Sequence, residues 1–167
     1  MDRALFFTSR RNFLKGSAIA TGVAVLSGST LFAEASSTQT LSLVQADLFP
    51  YADELDVNSS AYMILILKHS RVNDEDKTFI KNGLKWLDEE AEELYKAKYV
   101  KLSSNERQSV LKSISQARWG ENWIDSILRY MLEAMMSNPI YGVNKNEAGQ
   151  KWVNHVEGYP RPKEPLL

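Results

Sequence analysis

Between Phe79 and Tyr95, apolar or small residues recur at intervals of three and four: Phe79 or Ile80, Gly83 or Leu84, Leu87, Ala91, Leu94 and Tyr95. This is the period of an α-helix that turns one face to a core. It predicts a helix from Asn73 or Asp74 to about Ala97, with acidic residues in the first turn, where the helix dipole favours them. Three further segments read the same way. Ser59-Ser60 can cap a helix over Ala61 to Lys68, and its run of Tyr62, Met63, Ile64, Leu65, Ile66 and Leu67 is apolar nearly all round, as suits a buried central element. Ser103 and Glu106 have the spacing of a capping box ahead of Val110, Leu111 and Ile114. Trp119, Trp123, Ile127, Tyr130 or Met131, and Ala134 or Met135 define a helix ending near Ser137. With no alternating strand pattern and no internal repeat, the expected fold is all-α, a small irregular bundle of about four helices.

No cysteine occurs in the 167 residues, which removes disulfides, thiolate zinc sites, Cys-ligated iron–sulfur clusters and thioether-linked haem. The two histidines, His69 and His155, belong to no metal-spacing motif, so hydrogen-bonded or solvent-facing structural roles are expected of both. Asp88-Glu89-Glu90 with Glu92-Glu93 could suggest paired carboxylates. Consecutive helix positions diverge, however, and Lys85, Lys96 and Lys98 lie nearby, so the run reads as a solvated face. No catalytic, cofactor-binding or metal-binding residue is therefore expected on this chain. Arg3, Arg10, Arg11 and Lys15 against Asp2 and Glu34 leave the first 35 residues at +2, and the remaining 132 at about −3. So mildly acidic a body does not fit nucleic-acid binding, which needs a dense basic surface.

Ser9-Arg10-Arg11-Asn12-Phe13-Leu14-Lys15 resembles the twin-arginine export signal, in which two arginines precede a Phe-Leu pair and a lysine. The guanidinium pair offers planar donor forks that lysine cannot copy, and Phe13 with Leu14 adds an apolar anchor. A weakly apolar run from Gly16 to Ala33 follows, and Ala33-Glu34-Ala35 has the A-x-A form of a cleavage site, with Ala33 and Ala35 as its small residues. A general secretory signal and an uncleaved anchor are the competing readings, the run of about 18 residues being at the lower limit for a membrane span. The organisation expected is a signal peptide over 1–35, a helical domain over 36–137 that opens on a polar leader and a turn at Pro50, and a C-terminal strap over 138–167.

Four of the five prolines (Pro139, Pro160, Pro162 and Pro165) and three of the eight glycines fall in that strap, together with Tyr141, Trp152 and Tyr159. Large aromatics are uncommon in a floppy tail, so the strap is expected to pack on its own bundle or to contact another subunit as well. Proline fixes φ at Pro139 and Pro160, Gly142 and Gly158 permit turns, and the aromatics between them can bury large areas.

Asn138-Pro139-Ile140-Tyr141-Gly142-Val143-Asn144, Gly149-Gln150-Lys151-Trp152 and Gly158-Tyr159-Pro160, with Asp47-Leu48-Phe49-Pro50 upstream, carry a resemblance. The chain resembles the gluconate 2-dehydrogenase subunit 3 family, the small subunits of membrane-associated flavin-dependent sugar and polyol dehydrogenases. The positions that match its tail pattern are Pro139, Tyr141, Gly142, Asn144, Trp152, Gly158, Tyr159 and Pro160. Three positions depart from it. Val143 replaces a usual Gly, two residues separate Gly149 from Trp152, and Arg161 stands where a Gly is expected.

The resemblance implies a non-catalytic small subunit that supplies the export signal and stabilises a large FAD-dependent dehydrogenase subunit. It also implies a twin-arginine translocase as a transient partner, a multi-haem cytochrome c as a third subunit, and a periplasmic location held at the inner membrane through those partners. On this reading FAD and haem c belong to the other subunits. The alternatives are a stand-alone secreted hydrolase using a carboxylate and His155, and an assembly protein for an unrelated exported partner.

Overall fold

The computed structural model describes residues 29–165, with side chains from Ser37 onward, Asp53 excepted. The chain divides into two units, Met1–Phe32 and Ala33–Leu167, and the helical core belongs to the second. The described helices are α1 (Ser29–Leu48), α2 (Tyr51–Glu54), α3 (Ser59–Lys68), α4 (Asp74–Tyr95), α5 (Ser104–Ser115), α6 (Arg118–Met136) and α7 (Ala148–Trp152). Short 3₁₀ turns occupy Tyr99–Lys101, Pro139–Tyr141 and Lys145–Glu147. The fold is all-α, as the periodicity predicts. Among the described residues the only β pairing is an isolated bridge between Val57 and Asn144.

The four expected helices are α3 to α6. Asn73 caps α4, its Oδ1 accepting from the Asp76 N–H at 2.6 Å, and Asp74, Glu75 and Asp76 fill the first turn. At the start of α5 the Glu106 carboxylate accepts from both the Ser103 N–H (2.8 Å) and the Ser103 hydroxyl (2.7 Å), as the capping spacing predicts. The α4 and α6 helices meet at Gly83. A Cβ there would fall 2.0 Å from Trp123 Nε1, so only glycine admits the fully buried indole, which donates to the Ile80 carbonyl at 3.1 Å. Around this contact Val44, Met63, Leu87, Ala91, Ile127 and Met131 form the main core. A second cluster joins Val57, Tyr62, Ile66, Ala134, Met135 and Val143 near the end of α6.

The stretch 36–48, expected to open as a polar leader ahead of the turn at Pro50, is instead the C-terminal part of α1. Leu41 and Val44 lie on its buried face, Leu48 packs against the same core, and only the Ser/Thr-rich flanks look like a linker. Ser and Thr are weak helix formers, and here burial of one face overrides their preference. The expected strap also begins differently: its first half folds as short helical turns up to Trp152, and irregular backbone follows from Val153.

Candidate functional site

The tail starts where α6 stops, and the end of any helix leaves carbonyls without intrahelical donors. Two buried amide side chains from the tail supply those donors. Asn144, fully buried, donates from Nδ2 to Met135 O and to Ser137 O, each at 2.8 Å, and accepts the Gly149 N–H on Oδ1 at 2.9 Å. Gln150 Nε2 donates to Met136 O at 2.9 Å. Gly149 must be glycine for this to close, since a Cβ would lie 2.4 Å from the Met135 carbonyl oxygen.

The turn before Asn144 is set by its own residues. Asn138 Oδ1 accepts from the Ile140 N–H at 3.0 Å, Pro139 opens the 3₁₀ turn, and Gly142 ends it at φ +73°, a conformation that suits glycine. Tyr141 packs against the second core cluster, and the Val143 carbonyl accepts from the Asn58 N–H at 2.8 Å at the head of α3. Pro139, Tyr141, Gly142 and Asn144 are thus brought together as one anchor.

The other expected tail residues are not part of that anchor. Trp152 is half exposed and meets Phe49 edge-on at 5.7 Å and Tyr51 in a stacked arrangement at 6.4 Å, which unites the Asp47–Pro50 segment with the tail. Tyr159 is 83% exposed, with the Arg161 guanidinium over its ring at 5.5 Å. Gly158 and Pro160 are exposed too, and Gly158 has open space around it. Val153 and Val156 add to the apolar surface of this final segment.

Each departure from the family pattern has a local use. Val143 is buried in the second core cluster. The two added residues put Trp152 three positions after Gly149, so that Gly149 abuts α6 while Trp152 reaches Phe49 and Tyr51. Arg161 pairs with Glu147 and, at 3.7 Å, with Glu157, whose carboxylate accepts from Asn138 Nδ2 at 2.6 and 2.8 Å. The segment around Glu157 and Arg161 is thereby clipped back to the start of the tail.

Sequence reasoning missed a second fastening. The Asp47 carboxylate receives Arg107 Nε at 2.6 Å and Nη2 at 2.9 Å, a two-point pairing, and the Tyr99 hydroxyl at 2.7 Å. Gln108 Nε2 donates to the Asp47 carbonyl at 2.9 Å. Burial, with Asp47 beside it, pushes the Tyr99 hydroxyl far above its ordinary range, and the same carboxylate raises Arg107. The group holds the end of α1, and so Phe49 and Tyr51, in place.

Ser9, Arg10, Arg11, Phe13, Leu14 and Lys15 lie outside the described residues, and Ala33 and Ala35 fall within α1. No described helix is long and apolar enough to cross a membrane. The described residues contain no group of three or more His, Asp or Glu side chains able to hold a metal ion. His155 is exposed in the tail, its backbone N–H donating to Gln150 O at 2.9 Å.

Fold and tail together define a small all-α protein whose C-terminal segment is pinned to the bundle and displays aromatic side chains. The chain belongs to the gluconate 2-dehydrogenase subunit 3 family, whose model matches residues 35–158, from α1 to Gly158. No curated protein and no solved structure matches it significantly.

Proposed function

We propose that this chain is a non-catalytic small subunit of a flavin-dependent sugar, sugar-acid or polyol dehydrogenase, which binds the large FAD subunit and carries it through the twin-arginine pathway. The observation that carries this reading is the family match over residues 35–158. The leader around Arg10 and Arg11 supports the export role. Half-exposed Trp152, stacked on exposed Tyr51, supports a docking role, because aromatic side chains held rigid at a surface lose little entropy on binding and dominate interface energetics. FAD resides in the large subunit and haem c in a cytochrome subunit, and the assembled complex works in the periplasm at the inner membrane.

Affinity purification of the chain from the membranes of its native host tests the association. The expected result is a co-migrating large protein with a flavin absorbance band. Reproducible recovery of the chain without any flavoprotein contradicts the proposal.

A further inference from the structure

The α3 helix carries more apolar side chain than the core takes up. Its run from Tyr62 to Leu67 is unbroken, yet only Tyr62, Met63 and Ile66 of that run are buried. Leu65 and Leu67 rest partly buried against the two core clusters, whereas Ile64 belongs to neither. Ile64 and Leu67 instead line a groove of about 490 Å³ between α1, α3 and α4, backed by Leu41 and Leu84 of the core. That size lies within the range of about 300–1,000 Å³ usual for small-molecule sites.

The charged side chains of the groove all have one sign. Lys68 comes from the last turn of α3, and Lys81 and Lys85 stand one turn apart on α4, on the same side of the helix. All three are exposed, and none pairs with a carboxylate among the described residues. No described Asp or Glu lines the groove. Asp88, three residues after Lys85, accepts the Tyr99 N–H at 3.1 Å instead. On a body whose net charge is about −3, three unpaired ammonium groups around one apolar groove make a local field that favours an anion. The lysine stems lengthen the apolar walls while their charged ends stay in water.

We propose that this groove binds a long-chain fatty acid, with its hydrocarbon chain along Ile64 and Leu67 and its carboxylate among Lys68, Lys81 and Lys85. A neutral lipid would leave the three ammonium groups without a counter-charge, and a short acid would leave the apolar lining uncovered. One ionised carboxylate offers about four lone-pair sites, enough for all three lysines. The site is independent of the export and partner roles.

Dodecanoate, kept below its micelle-forming concentration, is the probe. In the full chain with ¹³C-labelled methyl groups, it is expected to shift the Ile64 and Leu67 methyl signals saturably. Acetate, which lacks the chain, and dodecyl maltoside, which lacks the charge, are each expected to bind there at least tenfold more weakly. The triple variant Lys68→Gln, Lys81→Gln, Lys85→Gln is expected to keep its helical circular dichroism, because all three side chains are exposed, and to weaken dodecanoate binding about tenfold, the combined effect of three solvent-exposed ion pairs. Added sodium chloride should narrow the difference between the native chain and the variant by screening those pairs. The absence of a saturable shift at Ile64 and Leu67, as when another segment of the chain or a partner helix covers the groove, overturns the site. So do shifts confined to residues 1–35, equal affinity for dodecyl maltoside, or unchanged dodecanoate affinity in the triple variant.

Discussion

Asn144 is the residue on which the tail depends. Replacing it with Ala leaves the Met135 and Ser137 carbonyls and the Gly149 N–H without their partner in a buried setting. Asn144→Ala should therefore lower stability by about 2–3 kcal/mol, read as the midpoint shift in urea unfolding. Tyr62 makes a different, pH-dependent contribution. Burial, with Glu133 accepting its hydroxyl at 3.3 Å, raises its pKa to about 12. A tyrosine in the unfolded chain ionises near pH 10, so between the two values the unfolded state gives up a proton that the folded state keeps. Stability must then fall as pH rises through that window, by about 1.4 kcal/mol per pH unit for this one group. Tyr62→Phe should remove that much slope from a plot of unfolding free energy against pH from 10 to 12; an unchanged slope would show that Tyr62 ionises as freely in the fold as outside it.

Among the elements, the tail divides into an anchor that holds it and a face that it displays. Gly149→Ala tests the anchor, because the added methyl meets the Met135 backbone rather than a flexible side chain. A loss of about 1–3 kcal/mol is expected from that overpacking. Trp152→Ala tests the face. The indole is half exposed, so thermal unfolding should change little, while retention of the proposed flavoprotein partner should fall by tenfold or more, as for a central interface aromatic. Retention equal to the native chain would move the contact surface away from Trp152.

The elements also show how far one sequence could be read. The α4 cap at Asn73, the Ser103–Glu106 pairing and the α6 face bearing Trp123, Ile127 and Met131 were legible because each is local, set by spacing within a few residues. α1 was not, since its Ser and Thr content argues for a linker and its helicity rests on burying Leu41 and Val44 against elements far along the chain. The Asp47–Arg107 pair, 60 residues apart, had no local signal at all. In the tail, the resemblance singled out Asn144 and Trp152. That one would cap a helix end and the other would join Phe49 and Tyr51 depends on a fold that brings residues near 50 and 150 together.

At the scale of the whole molecule, the helical body is fastened at both ends of its described chain and displays an aromatic face, and the proposed reading takes the stretch around Arg10 and Arg11 as a twin-arginine leader. On the proposed reading the leader serves a larger cargo: a subunit with FAD inserted must cross the membrane already folded, and this chain lends it the address. The proposal concentrates that role in Arg10 and Arg11, whose planar guanidinium groups lysine does not replace. The most direct measurement is the flavin dehydrogenase activity of periplasmic and cytoplasmic fractions from cells whose only copy of this chain is the double variant Arg10→Lys, Arg11→Lys. The account predicts that the flavoprotein is retained in the cytoplasm; a native level of periplasmic flavoprotein in that strain would contradict it.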